Sequence, residues 1–354
     1  MMRLNARLTV GFLVHTLLIM LMTFLSAELS LRVYHYFNPV FVFPSNSYER
    51  FRGKPFSQDY AFRLNSKGFK DIEFNKEKAP GTYRILGIGD SFTFGAVPYE
   101  YNYLTLLEDM LNAKPGGHRY EVINMGIPGT SLDHYLALLL REGLELDPDL
   151  VILSIFLGND LAETDKRQTV TSYVASLVRF LWQVPEHFEA RQINPLLTYE
   201  DDQPTFSYDR FLDIEVARAP IYFVKNPDTE KWLRNAGKYV KEIDQVCVFK
   251  KVRLLIVLIP DELQIDGALQ HAVIERRKVP ARDMDFSLPN KRLSAELDQA
   301  GLSYVDLLEP FRRVSSHTRL YKPYDTHWNI AGNRLAAEII YNVIANGAGR
   351  FKPS

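Results

Sequence analysis

From Arg84 onward the chain alternates short apolar runs with segments of helical period, and this rhythm constrains the fold more than any other feature. Residues 84–88, 121–124, 150–156, 252–259 and 303–306 read as strands. The run 150–156 is apolar throughout, which suits a strand covered on both faces. Between these runs, 103–111, 132–146, 232–249, 289–300 and 330–344 read as helices. Leu104, Leu107 and Leu111 share one side of the first. Leu132, Tyr135, Leu136, Leu139 and Leu140 form a stripe on the second. Repeated βα units predict an α/β fold: a doubly wound, flavodoxin-like, mostly parallel sheet with helices on both faces. No internal repeat or low-complexity tract interrupts it.

Composition agrees. The 354 residues are 46% hydrophobic and 24% charged, a globular balance that suits one large α/β domain or two small ones. A formal net charge of −1 gives no case for a nucleic-acid partner, which calls for a basic domain. The single cysteine, Cys247, excludes an intramolecular disulfide and a cysteine metal cluster. It falls on a predicted amphipathic helix and reads as a small buried hydrophobe.

The N-terminus obeys a different solvent. Residues 8–27 are an almost unbroken apolar run, and about 20 such residues span a ~30 Å hydrocarbon core. Arg3 and Arg7 precede the run and Glu28 follows it. That asymmetry predicts a cytoplasmic segment at 1–7, a transmembrane signal-anchor helix at 8–28, and the remainder outside, which for a bacterial inner membrane is the periplasm. A cleaved signal peptide would have a shorter core and small residues at the cleavage point. Phe24 and Leu25 stand there instead, which favours an uncleaved anchor. Residues 29–80 are aromatic-rich and irregular, with Phe37, Phe41 and Phe43, and read as a membrane-proximal stalk folding back on the domain. Within them 60–64 reads as an edge strand. The domain proper is expected over 81–350. It carries an insertion at about 161–230 that breaks the βα alternation and is expected to form helices and a cap beside the site. The apolar stretch 171–182 within it either packs on the domain or meets membrane or acyl chains.

Four segments carry candidate chemistry. Gly89-Asp90-Ser91 follows the strand 84–88, where an α/β sheet presents a nucleophile at its carboxyl edge. A hydroxyl at a helix N-terminus sits among free amides in a positive field, although a serine there also serves as a plain cap. Gly126 follows the second strand and is either an amide that approaches a ligand closely or a turn glycine. Asn159 follows the third; its carboxamide can donate to an oxyanion or cap a helix. His327 lies close after Asp325, which can hold the imidazole tautomer through a turn or an extended backbone; a backbone carbonyl is the other possible orienter. Asp133-His134 is rejected, because adjacent side chains on a helix do not face each other. Asp160 reads as a local hydrogen-bonding group. The chain has no Gly-x-Ser-x-Gly elbow, Walker A loop, dinucleotide fingerprint or His-Glu-x-x-His motif, so no metal or cofactor is expected.

In this order the four segments resemble the SGNH, or GDSL-type, hydrolases, from about Tyr83 to Ala345. The resemblance implies Ser91 as nucleophile, His327 as base with Asp325 as its partner, and the Ser91 amide, Gly126 amide and Asn159 side chain as the oxyanion hole. One spacing departs from the family. Its acid and base usually stand as Asp-x-x-His, whereas here the spacing is Asp325-x-His327. The tighter form is similar to that of bacterial polysaccharide O-acetylation proteins, including those of alginate. This implies a serine esterase or O-acyltransferase acting on short acyl, above all acetyl, esters of a carbohydrate. It also implies partners among membrane acyltransferases or polysaccharide-assembly proteins. A lipid esterase or thioesterase, and a non-catalytic polysaccharide-binding or assembly component, are the alternatives. Trp328 and Tyr324 flank His327 with flat faces that suit sugar rings or the core.

Overall fold

The backbone groups of the apolar runs find their partners sideways, in a parallel sheet. The computed structural model describes residues 2–37, 47–113, 119–164, 172–190 and 198–346; Phe41, Phe43 and Thr171 lie outside them. The chain begins with helix α1 (Met2–Phe37), short strands β1 (Gln58–Asp59) and β2 (Phe62–Arg63), β3 (Thr82–Ile88), α2 (Ser91–Phe94) and α3 (Tyr103–Asn112). Next come β4 (Arg119–Asn124), α4 (Leu132–Arg141), β5 (Leu150–Phe156), α5 (Asp160–Glu163), α6 (Tyr173–Ala190) and α7 (Tyr208–Arg218). Then follow α8 (Pro227–Lys250), β6 (Arg253–Ile259), α9 (Glu262–Ile265), α10 (Gly267–Arg277) and α11 (Leu288–Ala300). The last elements are β7 (Tyr304–Asp306), α12 (Leu308–Ser315) and α13 (Ile330–Asn346).

The main sheet runs β4-β3-β5-β6-β7, every neighbouring pair parallel. Counting only these strands, the order is the flavodoxin-like one of a doubly wound fold. It reverses between β3 and β5, and ligands of such sheets bind outside the carboxyl ends of the strands at that switch. Every residue of β5 is buried. Ile85, Ile152 and Val257 share one core with Leu104 and Leu107 of α3 and with Ala337 and Ile340 of α13. The helix expected over 132–146 ends at Arg141, and Gly143–Leu146 tightens to a 3₁₀ turn. Cys247 is buried on α8, and burial pushes its thiol up to about 12.

The chain divides into two compact units. One comprises Met1–Arg50 with Arg167–Gln192, the other Phe51–Lys166 with Ile193–Ser354. The first holds α1 and α6. Within α1, Gly11–Phe37 is long and apolar enough to cross a membrane; the helix runs beyond the expected end at 28. The second unit carries the sheet. It includes most of the expected stalk: Phe69, Lys70 and Asp71 are buried. Lys70 Nζ donates to the carbonyls of Gly95 (2.8 Å) and Val97 (2.6 Å), and Asp71 Oδ2 accepts the Asn124 amide at 2.7 Å. The segment 60–64 does not join the main sheet. Tyr60 takes a left-handed φ of 51°, which turns the chain, so β2 pairs antiparallel with β1.

Candidate active site

The junction after β3 is built locally. Asp90 caps α2, its Oδ1 accepting the Phe92 amide at 2.9 Å. Because Asp90 caps the helix, the Ser91 hydroxyl is left for other work. Its Oγ lies 2.8 Å from His327 Nε2 and 3.3 Å from Asp90 Oδ2. Burial pushes the Asp90 carboxyl above its ordinary value, against the Phe92 amide and the nearby His327 charge. As the first residue of α2, Ser91 presents its amide without an intrahelical acceptor.

His327 arrives from a loop closed on itself by backbone bonds. The Asn329 amide donates to Leu320 O and the Lys322 amide to His327 O, each at 3.0 Å, and Tyr321 bridges Trp328. Trp328 anchors the loop. It is buried against Phe92 and Phe311, both with ring centroids 5.1 Å away, so it is a core residue and offers no face to a sugar. Tyr324 keeps an exposed face. The tight Asp325-x-His327 spacing works because one carboxylate oxygen serves two donors. Asp325 Oδ1 accepts the His327 backbone amide at 3.1 Å and Nδ1 at 2.7 Å, an Asx-type turn closed by the ring. That fixes the proton on Nδ1 and leaves Nε2 to accept from Ser91. The carboxylate, rather than a backbone carbonyl, orients the ring.

Sequence reasoning missed a fourth member. Thr205 Oγ1 donates to Asp325 Oδ2 at 2.5 Å. Backbone bonds seat it: the Thr205 amide donates to Pro323 O at 3.1 Å and the Phe206 amide to Tyr324 O at 3.2 Å. Lys322 Nζ ties the same two segments, donating to Glu200 O (2.8 Å) and Gln203 O (2.5 Å). Burial alone would raise the Asp325 carboxyl. The His327 hydrogen bond and charge and the Thr205 hydroxyl outweigh it and hold the group below the ordinary carboxylate range. No local pattern marks Thr205, since its partner lies 120 residues away.

The two remaining expected donors differ. Asn159 sits at the cap position of α5, yet its side chain makes no cap hydrogen bond, and its buried Oδ1 has no partner among the described residues. The capping reading therefore fails, and the carboxamide is left to the site. Gly126 departs from expectation. Its amide donates to Asn124 Oδ1 at 2.9 Å, so it would serve an oxyanion only by sharing or releasing that bond. The need for glycine here is steric. A Cβ at 126 would lie 2.2 Å from the Phe94 amide nitrogen of α2.

Residues 221–352 match the family model described as the SGNH hydrolase-like domain of acetyltransferase AlgX. The match covers under half of the chain and marks its C-terminal part as similar to that domain. The matched stretch holds Asp325 and His327, while Ser91, Gly126 and Asn159 precede it. Among solved structures, the acetyl xylan esterase AlAXEase is similar at 17% identity over 74% of this chain and 99% of that one, with a TM-score of 0.41. A two-domain esterase active on acetylated mannans is 15% identical over 77% and 51%, TM-score 0.43. The lipase/acylhydrolase from Enterococcus faecalis is 17% identical over 77% and 100%, TM-score 0.43. Likeness this distant says nothing about substrate. No curated protein matches the chain significantly.

Beside Asn159 lies a cavity of about 450 Å³, bordered also by Gly158, Arg210, Arg218 and Trp232. Asp160 stays structural: its Oδ2 accepts the Phe156 amide at 2.9 Å and the Tyr135 hydroxyl at 2.8 Å. Asp133 and His134 do touch, at 3.2 Å, contrary to expectation. The contact arises because both side chains fold back to the α4 cap at Ser131, and it remains a capping cluster.

Proposed function

We propose that this chain is a membrane-anchored, extracytoplasmic serine esterase or O-acyltransferase acting on short acyl esters, above all acetyl esters, of a carbohydrate. The hydrogen-bonded line Ser91–His327–Asp325 at the switch of the sheet carries this reading. Ser91 Oγ attacks the ester carbonyl carbon as His327 Nε2 takes its proton. The new C–O bond makes a tetrahedral oxyanion, held by the Ser91 amide and the Asn159 carboxamide. When the old C–O bond breaks, the leaving alcohol takes the proton from His327, and the acyl group stays on Ser91. Water or a sugar hydroxyl then attacks the acyl carbon, His327 removing its proton and returning it to Ser91 Oγ. Asp325 stays ionised and stabilises the imidazolium in both halves.

The acetyltransferase named in the matched family's description supports acetyl chemistry. The apolar length of α1 and the positions of Arg3 and Arg7 support an anchor with the domain outside. Under this reading the partners are membrane proteins that supply acyl groups or assemble the polymer. An acyl-length series on synthetic aryl esters, with Ser91→Ala as blank, tests the function. Turnover should peak at acetyl and fall steeply with chain length. A peak at long chains would overturn the carbohydrate reading in favour of a lipid esterase. Wild-type protein with no turnover and no fluorophosphonate labelling of Ser91 would leave a binding component.

A further inference from the structure

We propose that α6 is a second membrane-contacting element, its Tyr173–Trp182 stretch lying in the lipid interface next to α1. The inference rests on reading α1 as the anchor. A hydrocarbon core of ~30 Å takes about 20 helical residues. Residues 8–27 carry no Asp, Glu, Lys or Arg, so Glu28 falls at the outer edge of the core. There α6 begins. The Glu28 carboxylate accepts the Tyr173 amide at 2.8 Å, the Val174 amide at 3.0 Å and the Ser172 hydroxyl at 2.9 Å. The Arg32 guanidinium binds the same carboxylate at 2.8 Å and lies 4.7 Å over the Tyr173 ring, with His35 5.6 Å from that ring.

A helix start leaves four amides without partners, and water normally satisfies them. Near lipid the protein must do so, or each unsatisfied group costs several kcal/mol. A carboxylate carried by the anchor helix and spent on the first amides of α6 is the arrangement such a place requires. The outward side of α6 fits the same solvent. Val178, Leu181 and Trp182 are 54%, 58% and 84% exposed, and the exposed apolar residues of α1 continue the surface. Tyr173–Trp182 contains one charged residue, Arg179, whose stem suits apolar surroundings while its head reaches the headgroups. Tyr173 and Trp182 are residue types favoured at membrane–water boundaries. A ten-residue apolar stretch is too short to cross the bilayer, so it lies in the interface and does not span. The insertion at 161–230 would thus add a lipid contact to the anchor.

The test uses the full-length chain in vesicles whose lipids carry bromine on their acyl chains. The chain has 3 tryptophans, and Trp328 is buried, so the comparison is between wild type and Trp182→Phe. Brominated lipid should quench wild-type emission, and the quenched share should disappear in Trp182→Phe. Equal quenching in the two proteins, or none in wild type, overturns the proposal while the chain still resists alkaline carbonate extraction. Release of the chain by carbonate would instead sink the anchor reading, and this proposal with it. In a second variant, Val178→Asp with Leu181→Asp, quenching of Trp182 should be lost. Membrane retention and turnover of a soluble aryl acetate should be unchanged. Persistent quenching there would also overturn the proposal.

Discussion

The two sides of the site are assembled by different means. On the nucleophile side everything sits within a few residues: β3 ends, Asp90 caps α2, and Ser91 stands at its start. On the base side local bonds, the Asp325–His327 turn and the Lys322–His327 backbone bond, shape only the loop itself. The loop is closed by Leu320 and Asn329, pinned into the core by Trp328, and held from outside by the segment around Thr205. Placing a nucleophile at a strand edge needs only a strand, a cap and a short helix. Holding a histidine so that Nε2 points at a hydroxyl across the sheet needs contacts from distant parts of the chain, because a surface loop has little to fix its own conformation.

The largest expected effect tests whether the two sides form one machine. Ser91→Ala and His327→Ala should each lower kcat on an aryl acetate by about 10⁴-fold or more. The double variant should lose little beyond either single one, since members of such a unit are not additive. Multiplying losses, with circular dichroism showing the fold intact, would break the mechanism and leave two independent sites.

The same contrast explains what was legible in the sequence. The strands were readable because both faces of a parallel sheet are buried, and runs such as 150–156 have no polar side to confuse the pattern. The Ser91 junction was readable because its cap and turn chemistry are local. The insertion was readable in part: it forms helices as expected, and α7 borders the cavity beside Asn159 while Thr205 bonds Asp325. What the sequence did not show is that α6 clusters with α1 through Glu28, a partner more than 140 residues away. Tyr60 broke an expected edge strand with a single left-handed φ, which a tyrosine does not advertise. Gly126 was readable as a required glycine but not in its reason, because the close approach of α2 and the Asn124 side chain are tertiary facts.

The next effect in size sharpens the comparison from the oxyanion side. Asn159→Ala should lower kcat by roughly 10²–10³-fold with KM nearly unchanged, as for a donor used mainly in the transition state. The place of Asn159 beside the cavity, with its side chain not spent on capping α5, motivates this. A change confined to KM would move Asn159 into ground-state substrate binding. The oxyanion would then fall to amides alone, with Gly126 having to give up Asn124.

The smallest effect probes the long-range support of the base. Thr205 is a positioning residue: it touches Asp325, and Asp325 touches His327. A hydrogen bond to a charged group is worth about 1.5–3 kcal/mol, so Thr205→Val should cost kcat on the order of tenfold or somewhat more. The pH dependence has a definite sign. The Asp325 carboxyl is held below its ordinary value, so its contribution is present above that value and disappears as pH falls through the folded-state pKa. Removing the Thr205 donor favours the protonated form, so the acid limb of the kcat profile should move to higher pH. KM should hold, and Thr205→Ser, which restores a hydroxyl, should return both rate and profile toward wild type. A loss of kcat without movement of the acid limb, or without rescue by serine, would reduce Thr205 to loop packing. The base side would then depend on the distant segment for its shape alone.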